Sequence, residues 1–137
     1  MIVTTDIEDI LLSVCEEFGI TKMATESPTV DDKEGDGIDE EMVVVHVKDQ
    51  ATETYWEPCF ANVNLCVPDF KSGFQNGPRL KELERAAMKK FGKLLTGEYD
   101  DTHYQIQKET LGIEQDKGLR CHYVSLTLKF SVLNVGY

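Results

Sequence analysis

Four cysteines and three histidines are the side chains of this chain best suited to metal or covalent chemistry. A structural zinc site needs converging ligands, often two cysteines separated by two to four residues. Cys59 and Cys66 lie seven positions apart, and on one regular strand they would face opposite ways. Cys121 and His122 are adjacent, so in a strand they diverge too. That spacing argues against zinc and equally against a thiolate with its base, which must meet within hydrogen-bond reach. With a last hairpin turning near residues 112–119, His103 and His122 fall at opposite ends of their strands. Cys15 lies in a helical pattern and reads as a small packed hydrophobe. The expectation is reduced, structural cysteines, no metal ligands, no catalytic residues and no cofactor.

The carboxylates allow one further test. Asp31, Asp32, Glu34, Asp36, Asp39, Glu40 and Glu41 crowd a short stretch containing Gly35 and Gly37. A calcium loop opening at Asp32 would use Glu34 and Asp36, with Gly37 at the turn. Its twelfth position, which must be a bidentate Glu, is Val43, and a strand pattern follows in place of the exiting helix. The stretch, residues 24–41, therefore reads as an acidic, solvated, flexible loop. Asp100-Asp101 and Asp31-Asp32 sit in polar loops with nothing to tune a pKa. No phosphate loop, dinucleotide fingerprint or serine elbow occurs. Tyr55-Trp56 in the connection Gln50–Pro58 has two readings, a core anchor or an interface anchor. Asp32, Glu34 and Asp36 join Tyr55 and Trp56 as the possible interface residues.

The elements that would position these groups follow from periodicity. Val124, Leu126, Leu128, Phe130 and Val132 alternate with Ser125, Thr127, Lys129 and Ser131, which predicts one long strand over His122–Asn134 with an apolar and a wet face. Ile7, Ile10, Leu11, Val14 and Phe18 recur at helical spacing. Thr5 and Glu8 are placed as a capping box, and Gly19 as the stop. Met42–Val47 reads as a strand covered on nearly both faces. Phe60–Val67 is a strand with Ala61, Val63, Leu65 and Val67 on one side, ended at Pro68-Asp69. A second helix starts at Pro78, carries Leu80, Leu83, Ala87, Phe91 and Leu94 as its stripe, and stops at Gly97. Tyr104–Leu111 is a fourth strand, and Gly112–Gly118 the last turn. The predicted fold is α+β: a mainly antiparallel sheet of about four strands, with both helices packed on one face.

The 137 residues are read as a single domain, large enough to bury a core without staples. No apolar run approaches bilayer thickness, and the N-terminus lacks a basic region followed by an apolar core. A cytoplasmic protein with no membrane partner is expected. The net charge of −11 opposes nucleic-acid binding, which relies on Lys and Arg meeting phosphates.

Three features carry a resemblance: the N-terminal amphipathic helix, the run Phe60–Asp69 followed by the helix Arg79–Glu84, and the closing strand Tyr123–Asn134. In this order the chain resembles small tail-completion proteins of tailed bacteriophages and prophages, of the tail-terminator or neck type. The resemblance covers most of the chain and rests on structural motifs, so no functional residue is carried over. It implies an α+β homo-oligomeric virion-assembly subunit in a ring, commonly a hexamer. Such a ring caps the tail tube and joins it to the head through tail-tube and head-completion proteins, without catalysis. Two other classes remain open: an acidic cytosolic adaptor or immunity-type protein for a basic partner, and a small enzyme with a pocket assembled from distant residues.

Overall fold

The computed structural model describes residues 2–26, 37–48 and 55–133, with the side chains of residues 55–57 and 133 excepted. Its elements are α1 (Thr4–Val14), a short 3-10 helix (Cys15–Phe18), β1 (Lys22–Ala24), β2 (Met42–Val47), β3 (Tyr55–Pro68), α2 (Gly77–Phe91), β4 (Leu95–Tyr99), β5 (Thr102–Asp116) and β6 (Cys121–Leu133). The strands form one sheet in the order β1-β2-β3-β6-β5-β4. β1 runs parallel to β2, and every other neighbouring pair is antiparallel. The α+β class stands. The mainly antiparallel sheet was expected to have about four strands; it has six, and the added edge strand β1 makes it mixed.

The alternation in β6 sets the register of the whole sheet. Val124, Leu126, Leu128, Phe130 and Val132 are buried with Ala61, Val63 and Leu65 of β3 and Val43 and Val45 of β2. Ile7, Ile10 and Leu11 of α1 join the same cluster as Leu80, Leu83, Ala87 and Phe91 of α2, so both helices cover this one face. A slip of one residue in β6 would expel five side chains from that core.

The opposite face is not uniformly wet. Met42, Val44, Cys66, Leu119 and Cys121 form a second, smaller cluster, packed with Ala24, Ile38 and Tyr123. The Ile38 N–H donates to the Leu119 carbonyl at 2.9 Å and holds this cover in place. Part of the stretch read as loop from residue 24 onward is thus ordered: Ala24 ends β1, and Ile38 is packed. Residues 27–36 lie outside the described residues.

Several boundaries move for physical reasons. α1 is capped two residues earlier than Thr5: the Val3 N–H donates to Asp6 Oδ2 at 2.9 Å, an acidic side chain at the positive end of the helix. Ile2 and Ile7, at the staple positions on either side of that cap, are both buried in the main cluster. Gly19 does end the first helical segment, in the left-handed conformation at φ 74°. α2 ends with Gly92 as its C-cap, not at Gly97, and a Cβ at Gly92 would collide with the Met88 carbonyl oxygen. Leu94 consequently leaves the helical stripe and is exposed.

Gly97 instead belongs to β4, where its missing Cβ accommodates the Tyr104 ring directly across the strand pair. That ring stacks on Phe130 with centroids 5.1 Å apart. β4 and β5 are joined through Asp100 and Asp101, both at positive φ, as a two-residue hairpin turn of primed type demands. The final turn occupies Lys117–Arg120, so Gly112 sits inside β5 and not in a turn. Tyr55–Pro58, read as connection, is the start of β3.

Candidate interaction surfaces

The cysteines separate as strand geometry requires. Cys59 points to the helix side, with its thiol donating to the Lys48 carbonyl at 3.1 Å, while Cys66 belongs to the cluster on the other face. All four are buried thiols. Cys66 stands opposite Tyr123 and Cys121 opposite Pro68, a diagonal relationship that lets the two thiols hydrogen-bond. That bond, then burial, drives the Cys121 thiol far above its ordinary range. Burial pushes the Cys15 thiol up to about 12, with Glu17 adding to the effect. The raised Cys15 and Cys121 thiols are poor nucleophiles, whereas the bond with Cys121 lowers the Cys66 pKa.

His122 turns away from Cys121 and pairs through Nδ1 with Asp69 Oδ1 at 2.7 Å, fastening the end of β3 to the start of β6. His103 lies at the other end of β5, opposite Glu98. Among the described residues, no group of three or more His, Cys, Asp or Glu side chains could hold a metal ion.

Of the residues singled out as an interface, Asp32, Glu34 and Asp36 lie outside the described residues. Tyr55 and Trp56 are placed only as backbone at the start of β3. Two other exposed features stand out.

The first is the turn between β3 and α2. Phe70 N–H donates to the Phe74 carbonyl at 2.9 Å, and Gly73 N–H to the Phe70 carbonyl at 2.8 Å. Gly73 reaches φ 91° to close this loop, a conformation disfavoured for a residue with a Cβ. The closed turn holds out two aromatic rings, Phe70 at 50% and Phe74 at 75% exposure. Asp69 N–H anchors its base to the Arg120 carbonyl at 2.9 Å. Rings held out by a tied loop lose little entropy when covered, which suits a binding anchor.

The second is an edge of the sheet. β4 pairs only with Thr102–Ile106 of β5. From Gln107 to Asp116, β5 is bonded to β6 on one side and has no described strand on the other. A row of unpaired N–H and C=O groups is a template for another strand. A bulge at Glu109 interrupts its regularity. Ile113 on this strand is 41% exposed, and Met88 and Leu94 are exposed nearby on the α2 side. Where β4 stops, a cavity of about 400 Å³ opens between the 91–94 connection and β5, lined by Lys93, Lys108, Lys129, Gln105, Gln107 and Ser131.

Sequence reasoning missed this edge because it missed β4, a strand of five residues with polar and glycine positions. The usable signal was Asp100-Asp101, a pair suited to a primed hairpin turn. Phe70 and Phe74 carried a weaker signal: two aromatics in a turn-rich segment with no apolar periodicity to bury them.

No described helix is long and apolar enough to cross a membrane. No family model matches the chain, and no curated protein matches it.

Proposed function

We propose that this chain is a structural assembly subunit that acts by binding other protein subunits, in the manner of a phage tail-terminator or neck protein, with no substrate turned over. The observation that carries this reading is the presence of two unlike exposed surfaces on one subunit: the Phe70–Phe74 knob and the open edge of β5. Head-to-tail rings need such a pair, since each contact joins different patches of neighbouring copies. A self-complementary dimer would need only one.

In this reading the buried thiols and the Asp69-paired His122 are structural groups. The resemblance to tail-completion subunits supplies the particular assembly: a ring, commonly hexameric in that family, which caps the tail tube and meets head-completion proteins. A net charge of −11 per subunit opposes close packing, so ring formation is favoured at moderate salt or on a tail-tube template.

That same charge favours a second reading, an acidic adaptor for a basic partner. Light scattering over a range of concentration and salt, with and without tail-tube protein, separates the two. Concentration-dependent growth to a closed ring, or binding to the tube, supports assembly. A monomer under every condition, with no tube binding, overturns it in favour of the adaptor.

A further inference from the structure

We infer that the lysine-lined cavity at the open edge of β5 is a binding site for an extended, acidic polypeptide segment, which adds as a strand to β5 and places a carboxylate among Lys93, Lys108 and Lys129. This rests on the reading of the β5 edge as a docking surface and specifies the chemistry of what docks there.

The first argument is charge. The chain has 25 acidic and 14 basic residues, yet this cavity is lined by three lysines and no carboxylate. Each comes from a different element: Lys93 from the connection after α2, Lys108 from β5 and Lys129 from β6. Among the described residues, Lys108 Nζ reaches the Met88 thioether, at 3.2 Å, a weak acceptor for an ammonium group. Among the described residues, none of the three is held in an ion pair, whereas Lys22, Lys90 and Arg79 each are. Three ammonium groups around one concavity repel one another, and an anion relieves that repulsion.

The second argument is position. The lysines approach from both sides of the sheet. Lys129 lies on the wet face between Leu128 and Phe130, while Lys108 lies against α2. The line of β4 ends at the Leu95–Ile106 pair, and the cavity occupies the place where that line would continue. A strand added along the free edge therefore runs into the cavity. Its backbone meets the open hydrogen-bonding groups of β5. Side chains on one face reach Lys129 and the carboxamides of Gln105 and Gln107, and those on the other meet Lys108 and cover Leu94 and Ile113. Strand addition gives affinity through the main chain, and the lysines give the preference for acid.

The test uses the full chain and a fluorescein-labelled peptide of about ten residues alternating Glu and Val, long enough to span the free edge. The controls are the Lys–Val counterpart and a Glu–Gly peptide of equal charge. Fluorescence anisotropy is expected to show binding of the Glu–Val peptide alone, weakening steeply with salt. The double variant K108Q/K129Q should bind about tenfold less tightly, with an unchanged thermal melt. No binding, equal binding of the Glu–Gly peptide, or full displacement by millimolar inorganic phosphate would each overturn the inference; the last would mark a simple anion site.

Light scattering of the same variant keeps the two proposals apart. Ring formation without peptide binding defeats this inference and leaves the assembly reading standing. Peptide binding by a chain that never assembles does the reverse.

Discussion

Arg79 grips Glu41 with two parallel hydrogen bonds, Nε to Oε2 at 2.8 Å and Nη2 to Oε1 at 2.9 Å. The same guanidinium donates to Glu82 Oε1 at 2.8 Å and to the Phe18 carbonyl at 3.3 Å. One side chain thereby joins the first turn of α2, the end of the first helical segment and the residue before β2. A cation at a helix N-terminus is ordinarily unfavourable, and the two carboxylates offset it. Arg79→Ala is expected to cost about 1–3 kcal/mol, since it removes a charge-assisted fork and leaves Glu41 without its partner. Arg79→Lys should recover only part, because an ammonium group cannot make the fork. Glu82→Ala should fall within about 0.5 kcal/mol, as that carboxylate is largely exposed. Urea denaturation of the three variants checks the ranking.

Leu128 and Thr127 are neighbours on opposite faces of β6. Leu128 is fully buried beneath the helices, and Thr127 donates to Asn62 Oδ1 at 3.2 Å on the other side. Leu128→Asp places an unpaired charge in the core and should prevent folding. Leu128→Ala should cost about 2–5 kcal/mol. Thr127→Asp is expected to fold in the isolated subunit. Thermal melts by circular dichroism decide; equal melts for the two Asp variants would contradict the assigned faces.

The same residues show what the sequence made legible. Period-two alternation identified the faces of β6 and β3, and helical periodicity identified the buried stripes of both helices, because each pattern is long and tied to one core. The short strands escaped. β1 has three residues and β4 five, too few for alternation to emerge, and both are held by pairing with longer neighbours. Gly97 and Gly112 were misleading as punctuation. Gly97 serves a close approach by Tyr104, and Gly112 lies within β5, roles that depend on cross-strand partners invisible along the chain. The cover over Cys66 and Cys121 is likewise tertiary: it comes from Ile38 and Leu119, which no local pattern connects.

Tyr123 gives the fold an alkaline signature. Its hydroxyl donates to Glu114 Oε2 at 2.8 Å, and that bond, followed by burial and then the nearby negative charge of Glu114, pushes its pKa up to about 12 from an ordinary 10.0. The folded state therefore keeps a proton that the unfolded chain releases first. The resulting stabilisation is full below pH 10.0 and is lost as pH rises towards about 12. Tyr99 is raised as well, through the charge of Asp6 first. Tyrosinate absorbance should show late-titrating groups in the native protein, and Tyr123→Phe should remove one of them. A Tyr123→Phe titration identical to wild type in that late phase would mean that the Glu114 bond does not hold.

Phe74 separates packing from association. At 75% exposure its ring contributes little to the subunit's own core, while the hydrogen bonds that shape its loop use backbone atoms only. Phe74→Ala should therefore change subunit stability by no more than about 0.5 kcal/mol. If the knob is one half of a head-to-tail contact, the same change removes an aromatic anchor, a loss worth about 2 kcal/mol or more per contact. A ring accumulates that loss at each of its joints, so assembly should collapse to monomer at concentrations where the wild-type chain is fully assembled. Phe70→Ala, at 50% exposure, should show the same division less sharply. Paired denaturation curves and light-scattering masses make the comparison. A Phe74→Ala variant that assembles like wild type would remove the knob from the contact. One that loses as much stability as Leu128→Ala would show that the ring belongs to the core.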